Sequence, residues 1–257
     1  MSKKPNVLFI VTDDQRFDTI HALGNDEIIT PNLDKLVSRG TSFVRAHISG
    51  GTCGAVCMPS RAMILSGRNP FHLEELGGNI PPEHKTLAET FKNNGYETIG
   101  LGKWHNGCPA YARSFTQGAK IFFGGMWDHW NVPTCRYDPT GEYDNVINFV
   151  VDFYKDNHPQ AQHCDEFDPG KHSSTLLTDS AIELLKKKTQ VKISHFLCIL
   201  LTLHLMIPEQ CLTVFVKCMM RIKLLSRLIF RKLLIQIILL WCIAMSLLLH
   251  TREMKKK

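Results

Sequence analysis

The chain has 257 residues, enough to bury one good hydrophobic core or two small ones. Its formal charge is +6, but residues 191–257 hold 11 Lys+Arg against 2 Asp+Glu. The first 190 residues therefore carry 19 basic against 22 acidic side chains. The excess of basic residues therefore lies only in residues 191–257. The composition of residues 1–190 gives no support to nucleic-acid binding, and we predict no nucleic-acid partner.

Nine cysteines are spread along the chain without regular spacing, a pattern that favours neither a disulfide framework nor a zinc site. The N-terminus reads Met-Ser-Lys-Lys-Pro and leads directly into a strand, without the apolar core of a signal peptide. We therefore expect a cytoplasmic protein, or a periplasmic or secreted one if translation starts further upstream.

The first hundred residues show an alternation of strand and helix signals. Residues 7–11 are apolar and rich in β-branched side chains, which is typical of a strand buried on both faces of a parallel sheet. Helices are predicted over 30–40, 57–67 and 86–95, each ending at a glycine, and a strand returns over 96–100. This order predicts a layered α/β fold.

The next segment is less regular. Thr86 and Glu89 have the spacing of a capping box at the start of the third helix. Residues 106–172 are rich in loop-forming residues and carry no motif, although they could shape a substrate pocket. An amphipathic helix is predicted over 174–188.

Three motifs carry chemistry. Residues 57–61 read Cys-Met-Pro-Ser-Arg, residues 12–15 read Thr-Asp-Asp-Gln, and residues 95–105 run from Gly-Tyr-Glu-Thr to Gly-Lys-Trp-His. Cys57 is predicted at a helix N-terminus, where backbone N–H groups favour an anion. Arg61 lies one helical turn further on, so it faces the same side. Lys103 and His105 share a face at the end of the returning strand.

Adjacent carboxylates end the first strand. Asp13 and Asp14 follow its carboxyl end, which is where open α/β sheets build their sites. Two carboxylates at such a position suit a hard divalent cation that prefers oxygen ligands. The same pattern in isolation is also typical of a solvated turn.

Together these motifs resemble the signatures of the type I sulfatases, a family of the alkaline-phosphatase-like superfamily, over roughly residues 4–190. The resemblance implies a three-layer α/β/α sandwich, of which this chain would hold an incomplete part. It also implies hydrolysis of a sulfate ester to an alcohol and inorganic sulfate. A phosphonate or phosphate ester hydrolase of the same superfamily remains an alternative.

The resemblance also assigns roles to single residues. Cys57 would be oxidised by a formylglycine-generating enzyme to formylglycine, whose hydrate attacks the sulfur of a sulfated small molecule or glycan. Asp13, Asp14 and the modified Cys57 would bind Ca²⁺ or Mg²⁺. Lys103 would neutralise sulfate charge, and His105 would orient or deprotonate the hydrate. Arg61 would hold the hydrate and the carboxylates.

At about residue 191 the composition changes. Residues 191–257 contain 16 Leu but no Gly, Asp, Asn or Tyr. The segment 233–249 has two polar residues and basic flanks, so one interpretation is a membrane anchor on a non-catalytic protein. A membrane partner is predicted only under that interpretation.

A change of reading frame near residue 190 is the alternative that we favour. Read one base out of frame, Met206 followed by Ile207 gives Asp, and Leu205 followed by Met206 allows His. Gln210 followed by Cys211 then allows only Met or Val. These residues resemble the His-Asp loop of sulfatases. Residues 1–190 would then be the N-terminal part of the catalytic domain and 191–257 an aberrant tail.

This interpretation has consequences for function. His204 would not inherit the role of the family's histidine, which is encoded by bases shared between the next two codons. The family's later metal ligands and its later lysine would be missing, so we expect the 257-residue chain to be a truncated, inactive product.

The nucleotide sequence tests the change of frame directly. Reading codons 185–195 in all three frames should reveal a single-base insertion or deletion, with the family-like sequence continuing in the shifted frame. An uninterrupted frame that encodes no family-like sequence in either alternative would contradict this expectation.

Overall fold

The computed structural model describes residues 4–13, 15–16, 18–46, 56–73, 77–151, 156–190, 195–203 and 237–241, with the backbone alone for 189–190 and 237–241. The strands are β1 Val7–Thr12, β2 Glu97–Lys103, β3 Gln117–Phe122, β4 Pro133–Thr134, β5 Val146–Val151, β6 Pro159–His163, β7 Glu166–Phe167, β8 Phe196–Leu201 and β9 Ile237–Trp241. The helices are α1 Pro31–Val37, α2 Cys57–Ser66, α3 Leu87–Asn93, α4 Cys108–Ser114 and α5 Ser173–Gln190, with short 3-10 turns at His21–Leu23 and Pro70–His72.

The core is a parallel sheet of five strands in the order β3-β2-β8-β1-β9. Alternate residues of its strands face opposite sides, so that Phe9 and Val11 pack in one hydrophobic cluster and Leu8 and Ile10 in another. Residues of α2, α3 and α4 join the first cluster, and residues of α5 join the second. Helices therefore cover both faces, and the predicted three-layer α/β/α arrangement is confirmed.

Most predicted elements are present, with shifted ends. The capping box of α3 forms as expected, because Glu89 N donates to Thr86 Oγ1 (3.1 Å) and Thr86 N donates to Glu89 Oε2 (2.8 Å). By contrast, Thr30 does not cap α1: its Oγ1 accepts from His21 N (2.9 Å), outside the helix, and its hydroxyl donates to Asp34 Oδ1 (2.8 Å). That helix ends at Val37 and does not reach the predicted glycine.

The segment 106–172 is more ordered than predicted. It contains α4 and the edge strand β3, which extends the main sheet beside β2. The strand has only two fully buried residues, at its end, so its sequence lacks the long apolar run that identifies β1. Two small antiparallel sheets, β4–β7 and β5–β6, account for the rest of its strands.

In the described part of the chain beyond the predicted boundary at residue 190, the structure has the strands β8 and β9. All six residues of β8 are buried, and the strand lies between β1 and β2 at the centre of the sheet. Residues 196–201 thus lie in the sheet; the boundary at 190 and the change of frame both stay predictions. Within 233–249, where a membrane helix was the alternative, Ile237–Trp241 is a strand paired with β1. In the part of the chain that the structure describes, no helix is long and apolar enough to span a bilayer.

Gly102 adapts β2 to its neighbour. The register with β3 shifts between Leu101 and Gly102, and Gly102 has a φ of +87°, which side-chain-bearing residues rarely adopt. A Cβ added there would lie 1.8 Å from the carbonyl oxygen of Leu201 in β8. The close approach of two backbones next to Lys103 therefore requires glycine.

Gly102→Ala should lower the free energy of unfolding by about 4 kcal/mol or more, because it adds a backbone clash to the conformational strain. Gly170→Ala is the matched control: Gly170 also has a positive φ (+78°), but its added Cβ meets nothing within 4 Å. That control should lose only about 1–2 kcal/mol. Urea unfolding measures both losses, and equal losses would contradict the assigned role of the close approach.

Candidate active site

The predicted site residues lie at the carboxyl edge of the sheet. Asp13 follows β1, and Lys103 is the last residue of β2. Cys57 and Arg61 come from the first two turns of α2, whose N-terminus lies at this edge. His105 follows β2 by two residues. Three separate stretches of sequence therefore meet here, as the strand–helix order predicted.

A buried ion-pair cluster forms the base of the site. Asp13 Oδ2 lies 3.0 Å from Arg61 Nη2 and 2.7 Å from Lys103 Nζ. The three side chains are at most 2% exposed. Removing charges from water is costly, and the mutual attraction offsets this cost only when the geometry is good and further hydrogen bonds are made. The cluster therefore depends on all three charges.

Neighbouring backbone carbonyls accept further hydrogen bonds from the guanidinium of Arg61, whose buried Nε has no partner among the described residues. Its Nη1 donates to the carbonyl oxygen of Lys103, and its Nη2 also donates to the carbonyl oxygen of Thr202 (3.0 Å). The hydroxyl of Thr202 in turn accepts from Asp13 N (3.3 Å). Sequence reasoning missed Thr202, although its place directly after the apolar run of β8 was the available signal.

The cluster sets the protonation of Asp13. Burial by itself raises the pKa of this carboxyl, but the charges and hydrogen bonds of Arg61 and Lys103 outweigh burial and hold the pKa below its ordinary value. Asp13 is therefore a carboxylate at neutral pH. Its stabilising contribution is present above pH 3.8 and is lost as the pH falls through the lowered pKa.

Cys57 and His105 form a second pair above the cluster. Cys57 Sγ lies 3.7 Å from His105 Nδ1, and Cys57 is a half-buried free thiol at the first position of α2. Burial first, and then the positive charges of Lys103 and Arg61, lower the pKa of His105 to about 4, against the opposing effect of Asp13. The imidazole is thus neutral at pH 7, and a neutral ring can accept a proton from its neighbour.

Two features constrain the imidazole ring of His105. The residue has a φ of +70°, which is unusual for a non-glycine residue and is typical of functional sites. A Cβ added to Gly125, in the loop after β3, would lie 2.9 Å from His105 Nε2. The loop backbone therefore packs closely against the ring and limits the positions that it can adopt.

A second missed residue follows His105 directly. Asn106 is fully buried, and its Nδ2 donates to the carbonyl oxygens of Met58 (3.0 Å) and Gly77 (2.6 Å). No motif singled it out, because the family-like stretch that was recognised ends at His105. The available signal was that a polar residue, Asn106, directly follows the site residue His105.

The donor set suits a cation in part. Asp13 Oδ1 is buried and has no hydrogen-bond partner, so this oxygen retains its lone pairs. Such an oxygen fits Ca²⁺ or Mg²⁺. Asp14, the second predicted ligand, lies outside the described residues. Among the described residues, no group of three or more His, Cys, Asp or Glu side chains could hold a metal.

The structure therefore brings together five of the six predicted site residues, namely Asp13, Cys57, Arg61, Lys103 and His105. His204 lies outside the described residues. Metal binding by Cys57 stays a prediction.

The chain is similar to known sulfatases over most of its length. The sequence model of the family described as Sulfatase matches residues 5–204. Arylsulfatase G of Homo sapiens is 32% identical over 157 residues, which are 54% of this chain and 29% of the relative. N-acetylgalactosamine-6-sulfatase of Homo sapiens is 28% identical over 178 residues (63% and 31%), and the ulvan-active sulfatase of Formosa agariphila is 28% identical over 191 residues (73% and 33%).

Solved structures show the same fold. The crystal structure of Ps i-CgsB has a TM-score of 0.69 and 20% identity, covering 92% of this chain and 58% of that chain. The same protein in complex with k-i-k-neocarrahexaose has a TM-score of 0.66 and 21% identity, with the same coverage. The chain spans about a third of the length of the curated relatives that it matches.

The lowered pKa of His105 predicts a specific acid sensitivity. Unfolded His105 binds a proton below pH 6.5, whereas the folded residue does so only near pH 4. The free energy of unfolding should therefore fall by about 2 kcal/mol between pH 6.5 and 4.5 through this residue. His105→Asn, which tolerates a positive φ, should remove that part of the pH dependence.

Urea unfolding between pH 7 and 4.5 measures the slope. His158→Asn, at an exposed histidine outside the site, should keep the wild-type slope. An unchanged slope in His105→Asn would show that the imidazole is not held neutral by its surroundings.

Proposed function

Because the chain belongs to the sulfatase family, we propose that it is the part of a sulfuric ester hydrolase that carries the nucleophile. The proposed reaction cleaves the sulfur–oxygen bond of a sulfate ester with water and yields an alcohol and inorganic sulfate. The observation that carries the proposal is the buried cluster of Asp13, Arg61 and Lys103 beside the pair of Cys57 and His105.

The charge of the cluster favours an anionic substrate. Two cations face one carboxylate, which leaves one positive charge in excess at a site with little exposure to water. A sulfate ester carries one negative charge, and charge neutralisation in a low-dielectric site stabilises the transition state more strongly than in water. We assign Lys103 to the sulfate oxygens and Arg61 to the fixed orientation of Asp13.

The pair above the cluster provides the reacting group and a proton acceptor. The side chain at position 57 lies beside the N-terminus of α2, where N–H groups and the helix dipole favour negative charge. Neutral His105 is within reach to accept a proton from this side chain. The two groups thus have the relation of an activated nucleophile and its base.

Two further groups complete the proposal. We propose that a formylglycine-generating enzyme modifies Cys57, and that the resulting formylglycine supplies the hydroxyl groups that a thiol lacks. We also propose that Asp13, together with Asp14 and the modified Cys57, holds Ca²⁺ or Mg²⁺, which supplies further positive charge for the sulfate oxygens. The buried, unpartnered Oδ1 of Asp13 supports this assignment.

The substrate is proposed to be a sulfated small molecule or glycan. The names of two relatives, N-acetylgalactosamine-6-sulfatase and the ulvan-active sulfatase, support a saccharide, and so does the neocarrahexaose bound to Ps i-CgsB. Since the chain spans about a third of its curated relatives, turnover is proposed for the gene product with the reading frame restored near codon 190.

Sulfate release should depend on Cys57. The frame-restored protein, co-expressed with a formylglycine-generating enzyme, should release sulfate from an aryl sulfate or a sulfated sugar, as measured by ion chromatography. Cys57→Ala should lower turnover by about a thousandfold or more, because the nucleophile is removed. Peptide mass spectrometry across position 57 should show the aldehyde in the wild type.

Cys108→Ala is the matched control. Cys108 is also a half-buried free thiol at the first position of a helix, but no hydrogen bond links it to the cluster. It should keep wild-type turnover. Full activity with an unmodified thiol at position 57 would refute the formylglycine assignment, and full activity of Cys57→Ala would refute the proposed nucleophile.

A further inference from the structure

The loop over residues 123–131 begins beside the candidate active site. Phe122, the last residue of β3, is paired with Lys103, the last residue of β2, so the loop starts at the carboxyl edge of the sheet. Three residues later, Gly125 packs against the imidazole ring of His105. The first part of this loop therefore forms a wall of the candidate site.

The loop carries two tryptophans with different surroundings. The ring of Trp127 packs on Phe122, with centroids 6.3 Å apart, and its Nε1 donates to the carbonyl oxygen of Asn131 (2.8 Å). Trp130 is 43% exposed, so roughly 100 Å² of a side chain that can bury up to about 250 Å² stays open to solvent. Since Trp130 follows Gly125 by five residues, their Cα atoms are at most about 18 Å apart.

Hydrogen bonds on both sides of Trp130 hold its backbone in place. Trp130 N donates to Asp128 Oδ1 (3.1 Å), and the carbonyl oxygen of Trp130 accepts from Gly170 N (2.7 Å). One residue earlier, the carbonyl oxygen of His129 accepts from Ser173 N (2.7 Å) at the start of α5. The indole is therefore presented on a fixed backbone, which lowers the entropy that is lost when it binds a ligand.

Two histidine rings lie next to the indole. The rings of His129 and His172 are stacked, with centroids 5.3 Å apart and an interplanar angle of 10°, and the ring of Trp130 meets His172 at 80° and 5.1 Å. Burial lowers the pKa of His172 against the opposing effect of Asp128, so this ring is neutral at pH 7. It adds no positive charge that would attract a sulfate group to this surface.

An exposed and fixed aromatic ring at the wall of a hydrolytic site suits a saccharide. A pyranose ring has C–H groups on its faces and hydroxyl groups at its rim, so a face can cover the indole while the hydroxyls stay in water. Exposed apolar side chains are common on protein surfaces, and Phe149 of β5 is more exposed (77%). Trp130 differs from Phe149 because it lies in a loop that forms part of the site.

We propose that Trp130 is a specificity-determining residue whose indole stacks on a sugar ring of the substrate, next to the ring that carries the sulfate ester. This inference rests on the proposed function and deepens it, because it requires the sulfate ester to belong to an oligosaccharide. Lys103 would then hold the charged group, and Trp130 an uncharged part of the same molecule. Stacking requires no turnover, so it can be tested separately.

Saturation-transfer NMR with the 257-residue chain tests the stacking. The probes are neutral hexaoses of galactose, mannose and glucose, which have no charge to interact with the basic residues of 191–257. The ring C–H protons of at least one hexaose should receive magnetisation from the wild-type chain. Trp130→Ala should raise the dissociation constant of that hexaose by about tenfold, because the stacking surface is removed. Phe149→Ala, at an exposed aromatic residue outside the loop, should leave it unchanged.

Two further variants separate stacking from a role of Trp130 in packing. Trp130→Phe keeps an aromatic ring and should weaken hexaose binding by no more than about threefold. Trp130→Leu keeps an apolar side chain without a ring and should lose about as much affinity as Trp130→Ala. Thermal unfolding of each variant reports the loss of packing on His172. If Trp130→Ala proves unstable, the comparison of Trp130→Phe with Trp130→Leu decides.

Turnover by the frame-restored protein tests the choice of substrate. Trp130→Ala should raise KM for a sulfated oligosaccharide by about tenfold with little change in kcat, because the lost contact binds ground state and transition state equally. KM for an aryl sulfate should not change, since that substrate has no second ring to place on the indole. Equal increases of KM for both substrates would contradict the proposed role.

Three binding results would overturn the proposal: no transfer to any of the three hexaoses, equal affinity of the wild type and Trp130→Ala, or equal losses in Trp130→Phe and Trp130→Leu. A dimer that Trp130→Ala dissociates in analytical ultracentrifugation, without hexaose binding, would assign the surface to a second copy of the chain instead. Absence of sulfate release from the frame-restored protein would count against the proposed function and leave the binding result intact.

Discussion

The buried carboxylate of Asp13 is the constraint on which the rest of the site depends. Arg61 and Lys103 are both removed from water, and Asp13 Oδ2 is the charged acceptor that they share. Without it, two like charges would face each other in a medium of low dielectric constant. The position of Asp13 thus determines where α2 can lie relative to β1 and β2.

The parallel sheet explains why these charges can meet at all. The strands β1, β8 and β2 are neighbours, and their carboxyl ends deliver Asp13, Thr202 and Lys103 to one edge. Gly102 of β2 lets the backbone of β8 approach closely just before Lys103. Burial of the apolar strand residues therefore positions the polar groups, and burial of His105 itself, with the charges of Lys103 and Arg61, lowers its pKa.

Patterns of apolar residues and short local motifs made most of the fold predictable. The run at 7–11, the capping box of α3 and the amphipathic face of α5 each depend on residues close in sequence. The strand β3 was missed because its sequence lacks a long apolar run. Only its last two residues are fully buried. The C-terminal end of α1 was misjudged because the chain between Val37 and Gly40 is closed by turns, such as Gly40 N to the carbonyl oxygen of Val37 (3.4 Å), and not by helical hydrogen bonds.

The site was predictable only where a motif spans it. Cys57, Arg61, Lys103 and His105 lie in recognisable stretches, whereas Thr202 and Asn106 contribute through backbone carbonyls and amides that no residue pattern records. Contacts of this kind depend on which segments the sheet brings together, and sequence spacing alone does not define them.

The strand β8 shows how differently the sheet and the site depend on sequence. Its central position requires apolar side chains on both faces, since all six of its residues are buried among other apolar groups. The site needs particular atoms at particular places, such as the Thr202 hydroxyl that accepts from Asp13 N. The segment after residue 190 completes the sheet through β8 and also supplies Thr202, which lies directly after that strand. The central sheet and the chemistry at its edge are specified by separable features of the same chain.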